Sequence, residues 1–372
     1  MRLGFLQSVY EQPGPFATVY LDTSGDAEDA GKAIQLRWRS AREQLAAAGA
    51  DEAILRSIDA ELEEPQARTG HRGEVIVANS EGVVLSDELP QRPGDLSDDE
   101  TAHFGPVPAL FPYLRMRGAR IPHVIAIVDH EGADITSVNA TLRAKRSQVE
   151  GEDTLVHKSG TAGGGGSEQT QQNAVEESWK HNAGQAADEI SKRAAASGAE
   201  VIVLAGDPQQ RTLVLEDVRK GMQPLVVETE ASHRDRKASD DSLQREIAET
   251  IDSVIASRVT DVVHDFERER GEGSRATEGW ESTVAALQHG QVETLLRVVP
   301  DSSEHPAELH VGRDSAEIAV KASGLGEGAE PAPADSALVR ALAGTSASLV
   351  LVEPGQVDLQ DGIGAVLRYT ES

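Results

Sequence analysis

Cysteine is absent from all 372 residues of this chain. The absence excludes a disulfide framework, a thiolate metal site and a cysteine nucleophile. Aromatic residues make up only 3% of the sequence, so its cores must be built from valine, leucine, isoleucine and alanine. No apolar run reaches the roughly 18 residues that indicate a membrane span, and the first residues lack a signal-peptide core. The sequence therefore predicts a cytoplasmic protein with no membrane partner.

Positive charge is also scarce, because 63 acidic residues face only 35 lysines and arginines and the formal net charge is -28. Such a chain repels nucleic acid at long range, and contact with RNA would need local basic clusters. Three basic clusters stand out: Arg115, Arg117 and Arg120; Arg143, Lys145 and Arg146; and His233, Arg234, Arg236 and Lys237. Each cluster taken alone is more often a solvated face than a binding site.

The longest glycine run lies in a nearly uncharged segment, residues 157–173, that begins His157-Lys158 and whose only acid is Glu168. Glycine loses more backbone entropy on ordering than any other residue, so residues 159–173 should be disordered in the free protein. A glycine-rich polar loop suits close approach to another backbone or to phosphates, and the alternative is an ordinary Gly/Ser linker. The candidate binding residues here are His157, Lys158, Gly163, Gly164, Gly165, Gly166 and Gln169.

The length and the spacing of apolar residues predict three α/β domains. In the first, residues 1–120, a buried strand near 13–24 precedes two helices between 27 and 62 and a β-hairpin over 74–85. Pro106, Pro108 and Pro112 then mark the end of this domain.

The second domain, residues 121–272, is predicted to alternate strands and helices around the glycine-rich loop. Its expected elements are a hairpin over 122–135, a helix over 174–196, strands over 199–207 and 224–228, and a long helix that ends before Gly271. Asp129, His130 and Asp134 in the hairpin could be imagined as metal ligands. Polar residues commonly flank hairpin turns without a metal, and no further ligand stands at a recognised spacing, so no metal site is predicted.

The third domain, residues 275–372, reads as a small α/β sandwich. Its expected elements are helices over 279–288 and 335–343, strands over 294–299, 308–311 and 348–353, a final strand, and a Gly/Pro/Ala linker over 323–333. The most distinctive stretch is the tail from Asp361 to Tyr369, Asp-Gly-Ile-Gly-Ala-Val-Leu-Arg-Tyr.

This tail resembles the end of archaeo-eukaryotic peptide-chain release factors and Pelota. Segments at 15–20, 128–134, 156–158 and 161–163 are similar to the bacterial branch of that family, which includes dormancy-associated actinobacterial members and the ribosome hibernation factor Balon. The resemblance implies a variable N-terminal domain, an RNase H-like central domain and a C-terminal domain like a kink-turn-binding ribosomal protein. It also implies the ribosome as partner, through rRNA in the A site and the peptidyl transferase centre, with tRNA and elongation factor Tu as further partners.

In release factors the central loop carries Gly-Gly-Gln, which orients water on peptidyl-tRNA. Here Gly166 is followed by Ser167-Glu168-Gln169, and the tripeptide is absent from the chain. The resemblance therefore favours a hibernation or stalled-ribosome factor without peptide release and without a cofactor. Two alternatives stay open: a peptidyl-tRNA or tRNA-directed hydrolase that uses Gln169 or Gln171 to position water, and an acidic stress protein that acts through protein contacts alone.

Overall fold

The computed structural model describes residues 1–24, 30–63, 72–94, 96, 101–118, 120–141, 143–151, 168–229, 239–299, 306–326 and 328–370. Its contacts divide the chain into two compact units. We call Met1–Ala119 together with Val259–Ser372 the terminal unit, and Arg120–Arg258 the central unit. None of the helices within the described residues has the length and apolarity that a membrane crossing requires.

The N-terminal segment of the terminal unit folds into one sheet and its covering helices. In chain order its elements are α1 (Gln7–Tyr10), β1 (Phe16–Asp22), α2 (Ala30–Ala47), α3 (Glu52–Glu61), β2 (Gly73–Asn79), β3 (Gly82–Leu89), β4 (Ala102–Gly105) and α4 (Phe111–Arg117). The strand order is β3-β2-β1-β4, and every neighbouring pair is antiparallel. The predicted buried strand, helix pair and hairpin are all confirmed, whereas β4 and α4 fall in the Pro-rich passage that the sequence did not resolve.

The central unit is a mixed sheet with helices on both faces. Its elements are β5 (His123–Asp129), β6 (Gly132–Val138), β7 (Ala144–Glu150), α5 (Glu168–Ser197), β8 (Val201–Gly206), α6 (Pro208–Asp217), β9 (Val226–Glu228) and α7 (Ser239–Glu272), the last of which continues into the terminal unit. The order β7-β6-β5-β8-β9 is antiparallel through β5, β6 and β7 and parallel through β5, β8 and β9.

Alternation along β5 decides which helix covers which face of this sheet. Val124, Ala126 and Val128 pack in one cluster with buried alanines of α5. Ile125 and Ile127 belong to the opposite cluster, which contains residues of α7. The expected RNase H-like sheet is thus a five-stranded mixed sheet with a helical layer on each side.

Two predicted helix boundaries were wrong. The helix expected from 174 begins at Glu168, so residues 168–173 are helical rather than part of a disordered loop. Glutamate and glutamine are good helix formers, which accounts for the earlier start. The long helix runs through Gly271 to Glu272, and its stop is Gly273, whose φ of 64° provides the left-handed C-terminal turn.

The C-terminal segment of the terminal unit contains two further sheets. Its elements are β10 (Ala276–Glu278), α8 (Trp280–Gln288), β11 (Val292–Val298), β12 (Glu308–Val311), β13 (Ile318–Ala319), β14 (Glu330–Pro333), α9 (Ala334–Gly344), β15 (Ser348–Val352) and β16 (Ile363–Leu367). The strand orders are β10-β16-β11-β15 and β13-β12-β14. The mixed α/β class is confirmed here as in the other segments.

The prediction of a Gly/Pro/Ala linker over 323–333 was wrong for its last four residues, because Glu330–Pro333 forms β14 against β12. Two prolines in four residues argue against a central strand, since each lacks the N–H that a ladder needs. β14 avoids this conflict by lying at the edge of its three-stranded sheet.

One apolar cluster joins the two segments of the terminal unit. It contains Leu3, Phe16 and Tyr20 from the N-terminal segment together with Leu338 and Ile363 from the C-terminal segment. The division into three domains stays a prediction, but the first and third segments share this core.

Candidate RNA-binding site of the central unit

The glycine-rich loop joins β7 to α5, and most of its predicted binding residues lie outside the described residues. This holds for His157, Lys158, Gly163, Gly164, Gly165 and Gly166. Gln169 lies in the first turn of α5. The structure therefore describes the two ends of the loop, at Gly151 and at Glu168, and the surface from which it departs.

Gly151, the last described residue before the loop, is held tightly against the body of the central unit. Its N–H donates to the Glu131 carbonyl oxygen over 2.7 Å. A Cβ atom at this position would stand 2.3 Å from the side-chain nitrogen of Asn182. Asn182 is buried at 3% exposure and donates from Nδ2 to the His130 carbonyl oxygen over 3.1 Å. A larger residue here would have to displace the buried Asn182 side chain, so glycine is favoured where the chain leaves toward the loop.

His130 stands beside this exit, in the turn between β5 and β6. Its ring stacks on Trp179 of α5, with ring centroids 4.1 Å apart and an interplanar angle of 21°. Gln210, which is 1% exposed, approaches His130 Nδ1 with its Nε2 at 3.1 Å.

The Nε2 atom of His130 faces Asp207, whose Oδ2 lies 3.7 Å away. The other carboxylate oxygen of Asp207 caps α6 by accepting the N–H groups of Gln209 and Gln210 over 2.9 and 3.0 Å. The carboxyl ends of the parallel strands β5 and β8 thus meet in a polar cluster of His130, Trp179, Asn182, Asp207 and Gln210. In open α/β sheets this edge is where ligand sites usually form.

A metal centre in the hairpin is not supported by the geometry. Oδ1 of Asp129 accepts hydrogen bonds from the N–H groups of Glu131 and Gly132, at 2.8 and 3.0 Å, and these bonds stabilise the turn. Asp134 pairs across the strands with Ile127, away from the turn. Among the described residues, no three histidine, cysteine, aspartate or glutamate side chains are grouped as metal ligands.

The predicted basic cluster of Arg143, Lys145 and Arg146 lies on β7 and the turn before it, at an edge of the sheet. Lys145 pairs with Ser137 and Arg146 with Thr136, so the two adjacent cations point to opposite faces. Lys145 shares the face of Ile135, which packs against α5, and Arg146 shares the other face. Arg143 precedes the strand, and its N–H donates to Asn139 Oδ1 over 2.9 Å. The three cations are exposed but do not form one patch.

The first basic cluster, at Arg115, Arg117 and Arg120, is not a uniform surface feature. Arg117 is only 4% exposed, its guanidinium lies 4.2 Å from the centroid of the Phe5 ring, and it donates to the Tyr113 hydroxyl over 3.0 Å. This arginine stabilises the core of the terminal unit. The third cluster, His233, Arg234, Arg236 and Lys237, lies outside the described residues.

Sequence reasoning missed Trp179, Asn182, Asp207 and Gln210. A signal for Asp207 was present, because Asp207-Pro208 directly follows the buried strand β8, and aspartate before proline at the first helical position is typical of a helix start. Trp179 and Asn182 had no such signal, since their partners lie about 50 residues away in the hairpin turn.

Comparison with known families gives a match for the segment that contains this sheet and loop. Residues 122–272 match the model of bacterial archaeo-eukaryotic release factor family 2. The matched segment contains the central sheet, the glycine-rich loop and α7. Over this segment the chain is similar to the bacterial branch of the archaeo-eukaryotic release factors.

Two uncharacterised proteins of Mycobacterium tuberculosis, from different strains, are 29% identical to this chain over 375 residues, covering 99% of it and 97% of their own length. Among solved structures, a model of ribosome-bound archaeal Pelota and ABCE1 matches with 14% identity and a TM-score of 0.40, covering the whole of this chain and 95% of that one. Dom34 of Saccharomyces cerevisiae matches with 10% identity and a TM-score of 0.37, over 67% of this chain and 63% of that one. Similarity at these TM-scores is too low to transfer residue roles.

Proposed function

We propose that this protein binds the ribosome in the A site as a hibernation or stalled-ribosome factor and does not release peptide. The observation that carries the proposal is the match of residues 122–272 to the bacterial release-factor family, because the matched segment contains the loop that such factors direct at the peptidyl transferase centre. The rRNA of the A site and of that centre is the proposed partner. tRNA and elongation factor Tu are proposed as accessory partners.

The loop and its base support this reading. The chain enters the loop at Gly151, where a side chain would collide with Asn182, and it leaves the loop at Glu168, the first residue of α5. A loop fixed at its base and rich in glycine can place backbone N–H groups against phosphates with little steric hindrance. His157 and Lys158 would supply positive charge where the loop meets RNA.

The absence of the Gly-Gly-Gln tripeptide supports the non-hydrolytic part of the proposal. Gln169, the first glutamine after the glycine run, belongs to the first turn of α5. A helical position fixes its backbone, whereas a water-orienting glutamine at the tip of a loop must reach the reacting ester. We therefore propose contact with the ribosome without catalysis.

Co-sedimentation tests the ribosome contact. The full chain should pellet with purified 70S ribosomes, more strongly with those from starved cells than with those from growing cells, and A-site tRNA should compete with it. The matched variant lacks residues 157–167 and should lose most of this binding. Failure of the wild-type chain to pellet under low salt would overturn the proposal.

A peptide-release assay separates the factor from a hydrolase. Purified wild-type protein should release no more model peptide from ribosomal complexes than buffer does. If the wild type releases peptide and Gln169→Ala lowers the rate on the order of tenfold or more, positioning of water by Gln169 would establish the hydrolase instead.

A further inference from the structure

An open groove lies between the edge strand β7 and the solvent-facing side of α5. It has a volume of about 1090 Å³, and Ser147 and Val149 of β7 form one wall. The opposite wall carries three cations, Lys192, Arg193 and Arg219. Two carboxylates, Asp188 and Glu189, also line it, so cations outnumber anions in a chain whose net charge is -28.

The cations of the groove differ in how far they are already neutralised. Arg193 donates from Nε to Glu189 Oε1 over 2.6 Å, and this hydrogen bond is the main cause of the lowered pKa of the Glu189 carboxyl. Lys192 reaches the same carboxylate at only 3.4 Å, with 73% of its side chain exposed. Arg219 is exposed, and its guanidinium makes no ion pair with the described residues. Glu189 therefore pairs with both Arg193 and Lys192, of which Lys192 remains largely exposed to solvent, while Arg219 is not paired with Glu189.

Lys145 adds a further cation to the same side of the sheet. Ser137 faces Lys145, Ile135 faces Ser147 and Ala133 faces Val149 across the β6–β7 ladder. Residues that face each other across a ladder share a face. Lys145 thus lies on the same face of the sheet as the groove residues Ser147 and Val149, two residues before Ser147 in β7. Arg146 lies on the opposite face, with Thr136.

We propose that the groove between β7 and α5 binds the sugar–phosphate backbone of RNA through Lys145, Lys192 and Arg219. This inference rests on the proposed ribosome contact and narrows it to one face of the sheet. Charge selects the ligand, because exposed cations on one face of a strongly acidic protein attract locally a polyanion that the protein as a whole repels. One of these cations, Lys145, lies on β7, the strand that enters the glycine-rich loop, so RNA bound here would lie on the element that carries the loop.

The alternation of β7 provides a matched pair of variants. Lys145→Ala and Arg146→Ala remove one exposed cation each, from adjacent residues of the same strand but from opposite faces. Lys145→Ala should weaken binding to 70S ribosomes several-fold, and Lys145→Ala/Lys192→Ala/Arg219→Ala should weaken it on the order of tenfold or more. Each lost phosphate contact should also reduce the slope of log affinity against log salt by about one unit. Arg146→Ala should stay within about twofold of wild type.

Binding and its salt dependence are also measured with protein-free ribosomal RNA, and circular dichroism checks that each variant is folded. Equal effects of Lys145→Ala and Arg146→Ala would overturn the assignment to one face. An unchanged salt slope in the triple variant, with normal binding by the wild type, would remove the groove from the interface and leave the proposed function standing. A loss confined to ribosomes, with RNA binding intact, would mean that an acidic segment of a ribosomal protein occupies the groove. If the wild-type chain fails to bind ribosomes, the proposed function fails, and the response to protein-free RNA still decides the groove.

Discussion

The two units of this protein use their arginines and lysines in opposite ways. In the terminal unit Arg297 is 2% exposed, donates to Asp335 and to the Gly362 carbonyl oxygen at 3.2 Å each, and lies 5.2 Å from the centroid of the Trp280 ring. In the central unit Lys145, Lys192 and Arg219 are exposed. A cluster of basic residues in a sequence can thus be a core element or a binding surface, and burial decides between them.

The tail that carries the family resemblance is buried over Gly362 to Leu367 and exposed at Arg368 and Tyr369. Its Gly362 carbonyl oxygen receives the guanidinium of Arg297, and Arg368 donates to the carbonyl oxygens of Gly290, Thr345 and Ser346 at 2.9 to 3.1 Å. Asp361 adopts a φ of 56°, which lets the chain turn into β16. These hydrogen bonds hold the tail against the rest of the terminal unit.

The largest expected effect comes from removing Arg297. Arg297→Ala leaves the Asp335 carboxylate and the Gly362 carbonyl without this buried donor. Breaking a fully buried ion pair costs about 3 to 5 kcal/mol, and because the Asp335 side chain is 26% exposed, the loss here should lie toward the lower end of that range. Urea unfolding should show this loss, and hydrogen exchange should place it in the terminal unit.

Arg313→Ala is the matched control, since Arg313 is an exposed arginine of the same unit. Surface substitutions of this kind usually change stability by no more than about 0.5 kcal/mol. If Arg297→Ala and Arg313→Ala are equally stable, the buried contacts of Arg297 do not stabilise the terminal unit. The contrast with the exposed cations of the central unit would then fail.

A smaller effect is expected at the base of the glycine-rich loop. Gly151→Ala would place a Cβ atom 2.3 Å from Asn182 Nδ2, where the chain leaves toward the loop. Overpacking of this kind costs about 1 to 3 kcal/mol. Thermal unfolding should show the loss, and hydrogen exchange should place it in the central unit.

A double-mutant cycle shows whether Asn182 is the cause. In an Asn182→Ala background, Gly151→Ala should cost much less than it does in the wild type, because the clashing side chain is gone. Gly184→Ala in α5 is the control, since its nearest neighbour would be 3.5 Å away and alanine is favoured over glycine in a helix by roughly 0.5 to 1 kcal/mol. Additive effects of Gly151→Ala and Asn182→Ala would refute the proposed close contact between these two residues.

What the sequence could predict depends on whether an element is determined by local or by distant contacts. The hairpin over β5 and β6, the helices α2 and α3, and the buried strand β8 follow from local periodicity and turn residues, and all were predicted. The edge strand β7 was missed because its pattern is exposed almost throughout, which leaves no apolar alternation to read. The His130 cluster was missed because it is assembled from the β5–β6 turn, α5 and the start of α6, and no local spacing encodes that assembly.

The smallest expected effect is a pH dependence in the terminal unit, at the end of α7. The Glu269 carboxylate accepts hydrogen bonds from Ser274 Oγ, Arg275 and Arg268 at 2.6, 2.7 and 3.2 Å, and these lower its pKa to about 2. A carboxyl group whose pKa is lower in the folded state stabilises the fold above its unfolded pKa, here 4.5. That stability is lost as the pH falls from about 4.5 toward 2.

Glu269→Gln removes this titration, so the difference in melting temperature between wild type and variant should be largest above pH 4.5 and should shrink toward pH 2. Glu267→Gln is the control, because Glu267 is an exposed carboxylate of the same helix, and its difference from wild type should stay nearly constant over that range. The comparison uses differences because the other acidic residues of the chain titrate in the same window and cancel between wild type and variant. A Glu269→Gln difference that does not change with pH would show that Ser274 and Arg275 do not hold the charged carboxylate in solution.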